Sequence, residues 1–297
     1  MFMVLLIALT PFQADKVEIL SEGTERIVYL LGNVVIEGSE TRITCAEAKI
    51  SETGGWVKLH NDVRLQDKNG EVNAGTAIYY FNEDRGFMSD SVTIVTTDER
   101  IFSDSLYYDG ARDSVEMYGN VRIEDSKNNM TVAGEKGWYN LARDEGALSG
   151  EPRLDIERQD KAPITVYAEI FKLHTNESIF HGFDSVLAVI DSISVYCDTI
   201  SYDLKAETGT MVRPVIKEKN NELKGVHGQF LMKNKDLESL SVEDGESTYY
   251  TKEGSKNMVE GDKIVITFQE GKAAMINVQG SPKGMLSLKK DEEDAGD

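Results

Sequence analysis

The sequence predicts an all-β protein, an antiparallel β-jellyroll or β-solenoid built from repeats of about 29 residues. Three observations predict it. Val34, Val63, Val92 and Val121 recur at a step of 29, as do Ile36, Leu65, Ile94 and Ile123. Within each copy apolar and polar residues alternate, as in Val57-Lys58-Leu59-His60 and Val63-Arg64-Leu65-Gln66. Period-2 alternation marks a strand with one face buried. Finally, Asn-, Asp- and Gly-rich clusters return at matching places, Ser51 to Gly55, Asn82 to Gly86 and Asp109 to Asp113. These supply the left-handed conformations and local hydrogen bonds of hairpins. Brief turns between strands require antiparallel neighbours.

Residues Met1 to Ala14 are an apolar run too short for a membrane-spanning helix of about 20 residues and are read as an export signal outside the fold. The first half of the fold is expected over residues 15–156, opening on Val17-Glu18-Ile19 and Arg26 to Leu31. Its anchors are Gly32 to Ile36, Asn61 to Leu65, Asp90 to Ile94 and Gly119 to Ile123, all read as strand. Further registers run Ile43, Val72, Ile101 and Leu59, Met88, Met117. Gly150 to Leu154 aligns with Gly119 to Ile123, and an insertion from about Glu157 to Pro163 marks a bend or boundary. The period resumes over 164–288, where Asp184-Ser185-Val186 echoes Asp90-Ser91-Val92. The charged stretch 289–297 is expected to be a disordered tail. Stacked units of this kind cannot bury their apolar faces alone.

A formal net charge of -20 over 297 residues argues against nucleic acid as a partner, since phosphate contacts need clustered Lys and Arg. It gives no help in approaching an anionic membrane surface. Cys45 and Cys197 share one register five units apart, which places them beyond disulfide reach as small buried residues. The sequence carries no nucleophile elbow, phosphate loop, dinucleotide fingerprint or Cys-x-x-Cys pair. His60, His174, His181 and His227 lack metal-ligand spacing, and acidic clusters such as Glu243 to Glu246 are read as turns. The expectation is a non-enzyme with no cofactor and no metal.

The inward set is Val34, Ile36, Ile43, Cys45, Val63, Leu65, Val72, Val92, Ile94, Ile101, Val121, Ile123 and Val132. In a closed roll these side chains fill one another's space. In a slightly open roll they line an apolar slot suited to acyl chains, and the unpaired strands at either end are open to extension by another chain.

The Gly-Asn-Val-x-Ile anchor, followed by Cys45 to Ala48, Ala74 to Ala77 or Ser103 to Leu106 and then by Tyr79-Tyr80 or Tyr107-Tyr108, resembles the OstA-like family. That family includes the periplasmic lipopolysaccharide-transport proteins LptA and LptC and the N-terminal domain of LptD. The resemblance implies a twisted β-jellyroll in the periplasm whose interior takes lipid A acyl chains. It also implies end-to-end pairing with other OstA-like domains and contact with membrane-embedded transport components. The chain's acidity leaves such binding to the acyl chains. Two other readings stay open: a purely structural interaction module, and a parallel β-helix acting on polysaccharide.

Overall fold

The computed structural model describes residues 11–287 except 24, 39, 175–176, 251–254 and 270. Most of the expected export signal and the expected tail lie outside them. Among the described residues the long strands pair antiparallel throughout, so the all-β expectation holds and the parallel β-helix does not. Among the described residues no helix is long and apolar enough to cross a membrane. The chain divides into two compact units, residues 1–154 and 155–297.

The first unit contains β1 (Phe12–Gln13), β2 (Lys16–Glu22), β3 (Glu25–Glu37), β4 (Arg42–Ser51), β5 (Trp56–Asp67), β6 (Gly70–Tyr80), β7 (Arg85–Val95), β8 (Glu99–Asp109), β9 (Ser114–Asp125), β10 (Met130–Asn140) and β11 (Glu145–Ser149). From β2 to β11 each strand pairs with the next in the chain. One sequence repeat is therefore two long strands. Phe12 and Gln13 pair with Ile36 and Val35, which puts the end of the expected signal segment inside the sheet.

The anchor dipeptides are corners rather than continuous strand. Gly32-Asn33, Asn61-Asp62, Asp90-Ser91 and Gly119-Asn120 all have positive φ. The pairing register shifts at each of them, which is how a bulge bends a strand and increases its twist. Gly and Asn tolerate this left-handed region best. Local bonds hold it: Asn33 Nδ2 donates to Asp15 Oδ2 at 2.8 Å and Asn120 Nδ2 to Asp104 Oδ2 at 3.0 Å. At the Asp90 corner the neighbour must be small, because a Cβ added at Gly75 would lie 2.5 Å from Asp90 Cβ. Each long strand thus contributes one half to each of two walls.

The unit boundary falls inside β12 (Arg153–Arg158). Residues 155–297 continue with β13 (Lys161–Tyr167), β14 (Ile170–His174), β15 (Ile179–Ile190), β16 (Ile193–Asp203), β17 (Thr208–Val212), β18 (Val215–Glu218), β19 (Asn221–Lys224), β20 (His227–Lys233), β21 (Asp236–Tyr250), β22 (Lys256–Gln269), β23 (Lys272–Gln279) and β24 (Lys283–Met285). Asp184-Ser185 repeats the double positive-φ corner, and Asp244 bends the middle of β21, so Glu243 to Glu246 is a corner within a strand. At Arg213-Pro214 the corner breaks the strand into β17 and β18, since proline cannot donate to a ladder. The core ladder runs Phe171, Gly182, Ile200, Met211, Gly228, Val242, Ile264. The Arg158 side chain, 2% exposed, is bound by Asp191 at 2.7 Å and Asp236 at 3.3 Å. Its Nε donates to the Ala162 carbonyl at 2.8 Å, which closes the hairpin expected as an insertion.

Candidate functional site

Strand register turns the inward set of the first unit into two cross-strand ladders. On the wall after the corners, Ile36, Ile43, Leu65, Val72, Ile94, Ile101, Ile123 and Val132 lie directly opposite one another in unbroken succession from β3 to β10. Beside them Val34 pairs with Cys45, while Val63 and Val92 pair with Ala74 and Ser103. Val121 pairs with Gly134. Eleven of the thirteen expected inward residues are buried, and Ile101 and Ile123 are half-buried.

The facing wall carries a ladder that the periodicity showed only at Leu59, Met88 and Met117. It runs Leu30, Ala48, Leu59, Ala77, Met88, Leu106, Met117, Gly137, Leu148. Large residues largely alternate with Ala or Gly, so side chains interdigitate rather than collide. A Cβ at Gly137 would meet Met117 Cε at 2.8 Å. Next to it runs a second row in which Tyr79 and Tyr139 lie opposite Gly86 and Gly146, and a Cβ at Gly146 would meet the Tyr139 ring at 2.9 Å.

The walls enclose an apolar seam bordered by Leu65, Val72 and Ile94 on one side and Met88, Leu106 and Tyr108 on the other, with Thr41, Gln66 and Asp67 at its rim. The cavity is about 40 Å³, room for a few waters at about 10–15 Å³ each and too small for an acyl chain. At this seam the side chains of the two walls leave little free space. An acyl chain enters only if the walls part. Burial pushes the Cys45 thiol up to about 11 and the Tyr108 phenol up to about 12, as expected when charged forms are excluded.

The outer edges are exposed and apolar. Beyond β3 the first unit ends in β2, whose Val17, Ile19 and Leu20 are exposed. The second unit ends in β23, with Met275 and Ile276 exposed, and in β24, with Met285 exposed. Residues 155–297 also carry a depression of about 520 Å³ lined by Ser201, Thr210, Gln229 and Ser241. It is open and mixed in lining, with Ile179, Phe230 and Leu231 beside the hydroxyls.

Among the described residues no three His, Cys, Asp or Glu side chains are placed to hold a metal ion. The His174 and His181 rings sit edge to face at 5.6 Å across the β14–β15 hairpin, and burial together with His174 and Lys172 pushes the His181 pKa down. Cys45 and Cys197 are free and buried.

No protein-family model and no curated protein matches the chain. Among solved structures it is similar to the crystal structure of LptH, described as the LptA homologous periplasmic component of the conserved lipopolysaccharide transport device from Pseudomonas aeruginosa, at 14% identity and a TM-score of 0.32 over 36% of this chain and 76% of that one.

Proposed function

We propose that this chain is a periplasmic, non-enzymatic carrier or bridge for lipopolysaccharide, which takes acyl chains between its two walls. The observation that carries the reading is the eight-rung ladder from Ile36 to Val132 facing the Leu30 to Leu148 ladder. No rung of either ladder is charged, so a chain threaded along the seam meets apolar surface throughout. Each buried methylene contributes about 0.8 kcal/mol. An acyl chain of roughly twelve carbons therefore offers about 10 kcal/mol to offset separation of the walls. The net charge of -20 repels a phosphorylated headgroup, which leaves the acyl chains as the attractive part.

The edge strands β2 and β23 suit backbone pairing with other domains of the same kind, because each presents one unpaired edge beside exposed apolar side chains. Membrane-embedded transport components would meet the ends of such a bridge. A second reading, a β-roll that only assembles, is favoured by the 40 Å³ cavity. Photo-crosslinking residues at Ile94 and Ile123 separate the two. Adducts with lipopolysaccharide acyl chains at both positions support carriage; adducts at neither leave only the assembly module.

A further inference from the structure

We propose that the outer face of the first unit's β5–β10 wall is a platform for an extended, uncharged polysaccharide chain, separate from the apolar interior. Each of these six consecutive strands places one aromatic residue on that face: Trp56, Tyr80, Phe87, Tyr107, Tyr118 and Trp138. Trp56 lies directly opposite Tyr80, and Phe87 directly opposite Tyr107. They alternate along their strands with the inward Leu59, Ala77, Met88, Leu106, Met117 and Gly137, which fixes their outward direction. Tyr80, Phe87, Tyr118 and Trp138 are 38% to 42% exposed. Trp56, beneath the Lys49 and Lys58 ammonium groups, and Tyr107 are half-buried, and the row they complete has the make-up of a binding surface.

Chemistry selects the occupant. A pyranose ring has a flat face of C–H bonds, which lies on an aromatic ring, and a rim of hydroxyls. A polar row runs beside the aromatics and ends on Tyr118: Thr76, Ser89, Ser105 and Tyr118 are successive cross-strand partners. Thr76 and Ser89 bond each other at 2.7 Å and reach Asp90, and the Tyr118 hydroxyl donates to Glu116, so hydroxyl lone pairs and carboxylates offer acceptors to that rim. Strands are spaced about 4.8 Å apart, so the row is roughly 24 Å long, which suits several linked sugars rather than one. The charged residues directly opposite the aromatics are Arg85, Lys136 and Glu116, close to balance. A polyanion gains little there and is repelled by the net charge of -20. An anionic lipid surface is disfavoured on the same ground.

The protein's two tryptophans, Trp56 and Trp138, both lie on this face, so intrinsic emission reports its occupancy. The test titrates the full chain with hexasaccharides of three neutral linkages (chitohexaose, cellohexaose and maltohexaose) and, separately, with phosphatidylglycerol vesicles. The expected result is a saturable emission change with at least one hexasaccharide, weakened tenfold or more in Phe87→Ala/Tyr107→Ala, which keeps both reporters. Tyr118→Ser, at a more peripheral position, should weaken it several-fold and covers the case in which the double variant does not fold. No change with any hexasaccharide up to about 1 mM, the weak end of specific affinity, overturns the proposal. So does a change seen with vesicles alone. Loss of acyl crosslinking at Ile94 leaves this result untouched, so the two readings fail independently.

Discussion

The Tyr79 hydroxyl donates a 2.5 Å hydrogen bond to Asp84 Oδ1 across the β6–β7 turn, and Tyr139 repeats it with Asp144 at 3.1 Å across the β10–β11 turn. Each turn then hands a backbone bond to the next: the Phe81 N–H donates to the Gly55 carbonyl, Gly110 to Asp84 and Leu141 to Asp113, at 2.7 to 2.8 Å. The turns are thus stitched into a column along one edge of the first unit.

Removing one stitch should cost about what a single hydrogen bond contributes. Tyr79→Phe is expected to lower stability by about 1 kcal/mol, read as a shift of the urea midpoint without a change in slope. An unchanged midpoint would show that the bond is replaced by water at no loss.

The buried phenols and thiols make the fold alkali-sensitive. Burial raises Cys45 from 9.0 to about 11, and Tyr108 and Tyr202 from 10.0 to about 12. A raised folded value favours the protonated native state. Its contribution is therefore complete below pH 9 to 10 and is lost as pH climbs through 11 to 12. Stability measured from pH 8 to 12 should fall over that interval, and the neutral variant Cys45→Ala should show a shallower fall. A flat profile would mean that these groups are solvated.

At Gly209 a Cβ would lie 2.0 Å from Phe230 Cζ and 2.6 Å from the Ser201 carbonyl, because the Phe230 ring lies across the glycine to stack on Tyr202 at 5.7 Å. Gly209→Ala should cost about 1–3 kcal/mol by overpacking, with Phe230→Leu in the same chain recovering part of it. Full stability of the single variant would show that β17 shifts freely.

Arg158 predicts an asymmetry between partners. Asp191→Ala leaves a buried guanidinium with only the longer Asp236 contact and the Ala162 carbonyl, whereas Arg158→Met removes the charge and leaves carboxylates that are 38% and 46% exposed. Asp191→Ala should therefore destabilise more, by about 1–3 kcal/mol after allowing for solvent around the acid. Arg158 also holds the Asp191 carboxyl below its usual value. The stability this gives is present above about pH 4 and is lost as pH falls below it. Equal losses for the two variants would contradict a buried charge.

End-to-end pairing depends on β2 and β23. Ile19→Asp or Met275→Asp should leave the fold intact and shift sedimentation toward single chains. Unchanged association would place assembly elsewhere.

The sequence made the ladder from Ile36 to Val132 legible, because Ile, Leu or Val recurs at one period and on one face. It did not show that Gly32-Asn33 and Asp90-Ser91 bend the chain, since a polar pair before Val reads as well as a strand start. The facing wall was half hidden: Ala48, Ala77 and Gly137 matter by being small, and small residues raise no apolar signal. The recurring Tyr-x-x-x-x-Asp of Tyr79/Asp84 and Tyr139/Asp144 was available and marks the turn column. The Arg158 cluster was not, because its acids lie 33 and 78 residues away in the chain.

Left-handed dipeptides at a step of 29 from Gly32 to Asn120 place the fold lines of that span one above another. Such a chain grows the way a stair does, one step at a time with an unaltered tread. Gene duplication of a single copy would lengthen the unit's span while leaving its cross-section, and whatever fits within it, as they were.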